Sequence, residues 1–282
     1  MTQPLRLVEG CREPTPPRRS IAVTGGKGGV GKSTVALNLA VALAQQRAST
    51  LLMDADLGMA DLNLLLGVAP ERSLLDALAG AELRDVLVEV HGIHLLPALN
   101  GSFLLATLGP SGQARILELI TTVMQRFDSL VIDVAAGIGL SQTTFGSAAC
   151  DSIVVVNPEP LSMADAYACI KVLAVERKVP HVYVLPNRVS SRYEAEELLG
   201  RLGDLVARFL DIELTPLPAI PSDPMIGESA RIGVPLLAHR PNCAAARAFR
   251  QVERALDQQH RLRSKGRADA WRGPTMPAQG EP

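Results

Sequence analysis

The 282 residues carry 28 Lys and Arg against 29 Asp and Glu, and 47% of them are hydrophobic. That balance excludes a polycation that would coat nucleic acid or an acidic membrane by net charge alone, and it supplies enough apolar surface for one large α/β domain. Cys11, Cys150, Cys169 and Cys243 lack the C-x-x-C spacing of a zinc or redox site, and no apolar run reaches the ~20 residues that span a bilayer, so a cytoplasmic protein is expected, at most peripheral on the inner face of the cell membrane.

Residues 1–19 hold Pro4, Pro14, Pro16 and Pro17 among charges, a composition that predicts a flexible N-terminal arm. From Ser20 onward, short aliphatic runs alternate with longer stretches of helical period, which predicts repeated βαβ units. The expected strands are Ser20–Thr24, Thr50–Asp54, Ile93–Pro97, Ser129–Asp133, Ser152–Asn157, His181–Pro186 and Glu213–Ile220. Helices are expected over Ser33–Gln45, Gln113–Phe127, Met163–Glu176, Glu194–Leu210 and Ala244–His260. The fold class is therefore α/β, a single doubly wound domain over residues 20–262 with a mostly parallel sheet and helices on both faces. Residues 263–282 read as a basic tail with too little apolar bulk to fold on its own.

The loop TGGKGGVGKST stands between the first strand and the first long helix and satisfies G-x-x-x-x-G-K-[ST] from Gly26 to Ser33. Its glycines let successive N–H groups face one point, where the helix N-terminus adds partial positive charge, and a triphosphate fits there. The nucleotide-binding set is Gly26, Gly28, Gly29, Val30, Gly31, Lys32, Ser33 and Thr34, with Lys32 against the β and γ phosphates and the Ser33 hydroxyl on Mg²⁺. Lys27 is a second ammonium in the loop, which would repel Lys32 if both faced one empty site. It is either a solvated surface lysine or a cation that reaches phosphate across an interface.

Three aspartates close apolar strands near this loop: Asp54, Asp56 two residues on, and Asp133. Carboxylates at the carboxyl edge of a parallel sheet lie where α/β folds bind ligands, although a lone aspartate there is often only a cap.

KGGVGKST resembles the deviant Walker A motif of the MinD/ParA family, a group of SIMIBI-type P-loop NTPases, and the resemblance runs from about Ser20 to about Arg240. It implies ATP and Mg²⁺ as cofactors, slow regulatory hydrolysis, and a homodimer formed with ATP in which Lys27 contacts the nucleotide of the other subunit. DADLG resembles the family's switch segment, implying that Asp56 positions the attacking water and Asp54 supports the Mg²⁺ shell. Asp133 resembles the Walker B aspartate. LPNRV and LPAIPSDP resemble the adenine pocket, implying Asn187, Pro221 and Asp223. NPEPLSMADAYACIK resembles the FlhG/FleN group of MinD-like flagellar number regulators, which implies that Glu159 and Asp165 lie near the dimer interface.

The same resemblance implies a flagellar role and a partner such as an FlhF-like GTPase or a flagellar transcription or assembly factor. The arm, however, offers only QPLRLVEG where the group carries a D-Q-A-x-x-L-R pattern. The tail, with Arg263, Lys265, Arg267 and Arg272, is either a solubilising face or a weak contact for anionic lipid or DNA, and it has too little apolar bulk for insertion. A ParA-type partition ATPase that binds DNA non-specifically is the alternative reading, disfavoured by the near-neutral charge. A metal-delivering or biosynthetic enzyme on the same fold is the third.

Overall fold

The computed structural model describes residues 19–56, 60–98 and 109–264. Its centre is β1 (Arg19–Thr24), in which Ile21 and Val23 face one layer and Ala22 the other, all fully buried. The remaining strands are β2 (Thr50–Ala55), β3 (Val88–Val90), β4 (Ile93–Leu96), β5 (Ser129–Val134), β6 (Asp151–Val156), β7 (His181–Val189), β8 (Glu213–Pro216) and β9 (Ile220–Pro221). They lie in the order β3-β4-β2-β5-β1-β6-β7-β8, with β9 beside β7, and every pairing is parallel except β3 with β4. From β1 the chain first builds β2, β3 and β4 on one side, returns to insert β5 between β2 and β1, and then adds β6, β7 and β8 outward on the other side. The sheet's order therefore reverses where the glycine loop leaves β1, the point at which a doubly wound fold opens a crevice.

The connecting helices are α1 (Lys32–Gln45), the short α2 (Leu62–Leu65), α3 (Leu74–Leu78) and α4 (Leu83–Val86), then α5 (Pro110–Met124), α6 (Leu140–Ala148), α7 (Pro160–Val175), α8 (Arg192–Phe209), α9 (Pro224–Ile232), the short α10 (Leu236–His239) and α11 (Ala244–Ser264). One face of the sheet packs against α1 and α11 through Leu39, Phe249, Val252 and Leu256. The opposite face is covered by α5 and α6 at one end and by α7 and α8 at the other. The doubly wound α/β architecture read from the sequence holds.

Several elements differ from the sequence reading. The expected strand Glu213–Ile220 divides into β8 and β9, because Pro216 and Pro218 lack the N–H that a ladder needs. β3 is an additional edge strand whose hairpin turns at His91 and Gly92, both at positive φ (50° and 80°), the geometry of a tight two-residue connection. Helices α6 and α9 are also additional.

Arg19, read as the end of the arm, belongs to β1 and is 4% exposed. Its Nε lies 3.8 Å from Asp151 Oδ2, while Arg263 Nη1 lies 3.7 Å from Asp151 Oδ1 and the Arg263 guanidinium sits 5.2 Å from the centre of the Tyr183 ring. The last helix accordingly runs past residue 262, the end expected for the domain. Asp151 is 4% exposed, and both arginines lie within 4 Å of its carboxylate. We expect Arg263→Ala to cost about 1–3 kcal/mol, since it removes a cation that lies 3.7 Å from a buried carboxylate. Urea unfolding measures this, and an unchanged midpoint would show that the pairing does not hold the helix end.

Candidate functional site

The loop after β1 begins α1 with Gly31 as N-cap, at φ 99° and without a side-chain cap, so no side chain occupies the first-turn N–H groups. Two glycines are dictated by close approach. A Cβ at Gly26 would stand 2.0 Å from the Asp165 carbonyl oxygen of α7, and one at Gly31 would stand 2.4 Å from Asn187 Nδ2 in addition to the strain of a left-handed φ. At Gly28 and Gly29 a Cβ would meet nothing within 4 Å, so this part of the loop faces open space where a ligand can enter.

The parallel register of β2 and β5 sets Asp54 directly beside Asp133. Asp54 is 2% exposed and accepts from the N–H groups of Asp56 (3.0 Å) and Leu62 (3.3 Å). Burial pushes its carboxyl well above the ordinary carboxylate range, and the charge of Asp133 adds to the shift. Asp133, also 2% exposed, is raised to about 7 by burial, against the pull of a hydrogen bond from Ser33 and the Lys32 ammonium. Its Oδ1 is buried without a hydrogen-bond partner. Lys32 is 8% exposed, and burial lowers its pKa while Asp133 and Asp56 raise it.

This constellation fits Mg²⁺ and a polyphosphate. An orphaned carboxylate oxygen and a helix-start hydroxyl are hard oxygen donors suited to a hydrated divalent cation, and a buried ammonium with uncapped N–H groups suits phosphate oxygens. Asp56 is half-buried and close enough to bias both Lys32 and Asp133 electrostatically. The rest of the expected switch segment, residues 57–59, lies outside the described residues.

A pH dependence follows from Asp133. Its folded pKa lies above the ordinary 3.8, so the ligand-free fold gains protons relative to the unfolded chain between about 4 and about 7 and loses stability as pH rises through that window. We expect the ligand-free melting temperature to fall as pH rises from about 4 to about 7, with a shallower fall in Asp133→Asn, where Asp54 and Glu253, both raised by burial, still contribute in the same direction. Identical pH slopes in the two proteins would contradict the shift.

Lys27 is brought to Glu159 of its own chain, Nζ to Oε2 3.1 Å, with the two side chains 38% and 59% exposed. Exposed pairs of this kind contribute at most about 1 kcal/mol, so the contact is easily exchanged. Asp165 presses its backbone on Gly26. The three residues expected in the adenine pocket have visible structural work. Asn187 Nδ2 donates to the Val30 carbonyl at 2.7 Å, and Pro221 pairs with Val189 in the β9–β7 ladder. Asp223 caps α9 through Met225 N (3.0 Å) and also accepts from Ala245 N (3.1 Å). Burial alone would raise the Asp223 carboxyl, but these N–H groups hold it below its ordinary value.

Fold and loop together define a P-loop nucleoside triphosphatase of the α/β type. Residues 17–257 match the ParA family, described as NUBPL iron-transfer P-loop NTPase, and the chain belongs to that family. It is 39% identical over 243 residues to the antiactivator FleN of Pseudomonas aeruginosa, covering 86% of this chain and 87% of that protein. It is also 30% identical over 237 residues to the flagellum site-determining protein YlxH of Helicobacter pylori, with 82% and 79% covered. Among solved structures, the cell-division ATPase MinD of Pyrococcus furiosus aligns with a TM-score of 0.73 at 26% identity, covering 86% of this chain and 99% of that one. MinD of Pyrococcus horikoshii, complexed with Mg-ADP, aligns with the same score at 27% identity over 88% and 99%. The MinD/ParA resemblance read from the sequence is therefore correct, and the protein is an ATP-hydrolysing P-loop enzyme of this family.

Proposed function

We propose that this chain is an ATP-dependent dimerisation switch that sets flagellar number or placement. The observation that carries the reading is its 39% identity to an antiactivator over nearly the whole domain, in a chain that keeps a second lysine, Lys27, in the phosphate loop.

The loop N–H groups and Lys32 bind the β and γ phosphates, and Thr34 belongs to the same helix start. Ser33, Asp54 and Asp133 would hold a hydrated Mg²⁺, whose charge would offset that of the phosphates. Asp56 accepts a hydrogen bond from the attacking water and orients it. Lys27 of one copy leaves Glu159 and reaches the phosphates bound by the other, so that two nucleotides are enclosed between two chains. Glu159 and Asp165 then border the contact, while Pro221 and Asp223 shape the base pocket. Hydrolysis returns the dimer to monomers, and the ATP state engages a flagellar transcription or assembly factor, or an FlhF-like GTPase. Weak, salt-sensitive contact with anionic lipid through the basic tail belongs to the same reading.

Deleting the gene in its native host should change the number or position of flagella seen by electron microscopy, and the wild-type gene should restore it where a Lys32→Ala copy does not. An unchanged flagellar count in the deletion strain would contradict the flagellar role.

A further inference from the structure

The phosphate loop can present N–H groups to a ligand only if its carbonyl groups turn the other way, and a carbonyl turned into the protein needs a donor there. Val30 is 2% exposed and immediately precedes Gly31 and Lys32, so its carbonyl faces this requirement directly. Two asparagines converge on it. Asn187, within β7, is 4% exposed and donates from Nδ2 to the Val30 oxygen at 2.7 Å. Asn157, directly after β6, is also 4% exposed. Its side-chain amide faces two carbonyl oxygens, so its nitrogen is the atom that must point at them, 3.2 Å from Val30 O and 3.1 Å from Asn187 O.

Asn157 is itself fixed from behind, since its backbone N–H donates to Ser162 Oγ at 3.0 Å, in the first turn of α7. The Asn187 amide also occupies the space that a side chain at residue 31 would need. The ends of two adjacent parallel strands thus aim paired amide donors at one loop carbonyl.

We propose that Asn157 and Asn187 are positioning residues that clamp the Val30 carbonyl and so hold the following N–H groups and Lys32 in their phosphate-binding arrangement. This assigns Asn157 a part in nucleotide binding and gives Asn187 work on the phosphate side of the site through its Nδ2, which leaves its Oδ1 able to accept from a base. The clamp rests on the phosphate-site reading above. Neither residue touches the reacting atoms, and each acts through the loop.

The test compares Asn157→Asp, Asn187→Asp and the smaller Asn157→Ser with wild type in calorimetric titrations of Mg-ATP and of Mg-tripolyphosphate, which has no base. An aspartate keeps the shape but places a carboxylate oxygen against the Val30 oxygen. We expect each variant to weaken both ligands by a similar factor, roughly 10- to 100-fold, the effect of a lost buried hydrogen bond to a binding element. The ligand-free melting temperature should fall as well, because the clamp's buried hydrogen bonds are present without ligand. The titrations are therefore made where each variant is fully folded, and their pH dependence separates positioning from a merely structural role. In the two aspartate variants the deficit relative to wild type should narrow at acidic pH, where a protonated carboxyl can again donate.

If both aspartate variants bind tripolyphosphate as wild type does, the clamp is wrong, and an ATP-only loss in Asn187→Asp would return that residue to the base pocket. If an aspartate variant does not fold, Asn157→Ser decides by the same comparison. A wild-type protein that binds neither ligand would overturn the phosphate site itself, a result distinct from failure of the clamp.

Discussion

Lys32→Ala should remove most nucleotide binding, with affinity falling at least ~30-fold, because truncating one member of a buried charge contact costs about 2–5 kcal/mol. The size of the effect comes from burial. Lys32 is 8% exposed, and its ammonium is already under desolvation strain that Asp133 and Asp56 only partly offset, so phosphate is the counter-charge the site lacks. The same variant should remain folded, since it removes a buried cation that destabilises the empty protein on its own account. Calorimetric titration with Mg-ATP, alongside a ligand-free thermal melt, reads both parts. Near-wild-type affinity in a folded Lys32→Ala protein would remove the site from this loop.

Much of the architecture was legible because strands covered on both faces are continuous aliphatic runs, as in IAVT and SIVVV, and because the loop between the first strand and helix is defined by residue type. The additional helix α9 carried its own signals, an Asp223 cap, Pro224 at the first turn and Gly233 at φ 66° after the last, but the run between them is only 9 residues long. β3 is three residues long and packs at an edge, which leaves little pattern to read. The end of α11 was hidden for a different reason. RLRS is polar by composition, and only the distant Asp151 and Tyr183 make Arg263 part of the packed domain.

Within the site, Lys32, Ser33, Asp54 and Asp133 were readable from motif and strand ends. The pairing of Asp54 with Asp133 was not, since it depends on strand order and register. Asn157 was invisible as a functional residue for the same reason. An asparagine after a strand is ordinary, and its meaning appears only when β6 and β7 bring it beside Asn187 and Val30.

The second large effect separates two steps of one cycle. Asp56→Ala should bind ATP and lose about 10²- to 10⁴-fold in hydrolysis, the usual range for a positioned acid–base group, because the role proposed for it is confined to the chemical step. Unable to leave the ATP state, it should accumulate as the dimer. Lys27→Ala should bind ATP but fail both to dimerise and to hydrolyse it. Its native contact in the isolated chain is the exchangeable pair with Glu159, so its loss costs little in the monomer and leaves ATP binding intact, but the charge that would cross to the second nucleotide is gone. If Asp56→Ala turns over normally, water positioning belongs to another residue, and Asp54 is the next candidate.

The most direct test of the switch is the molar mass by light scattering during size exclusion, with Mg-ATP and without nucleotide, for wild type, Lys27→Ala and Asp56→Ala. The account predicts monomers throughout without nucleotide and, with Mg-ATP, a transient dimer for wild type, a persistent dimer for Asp56→Ala and a monomer for Lys27→Ala that still binds ATP. A Lys27→Ala protein that dimerises and hydrolyses like wild type would contradict it, leaving a P-loop ATPase without a dimer-based switch.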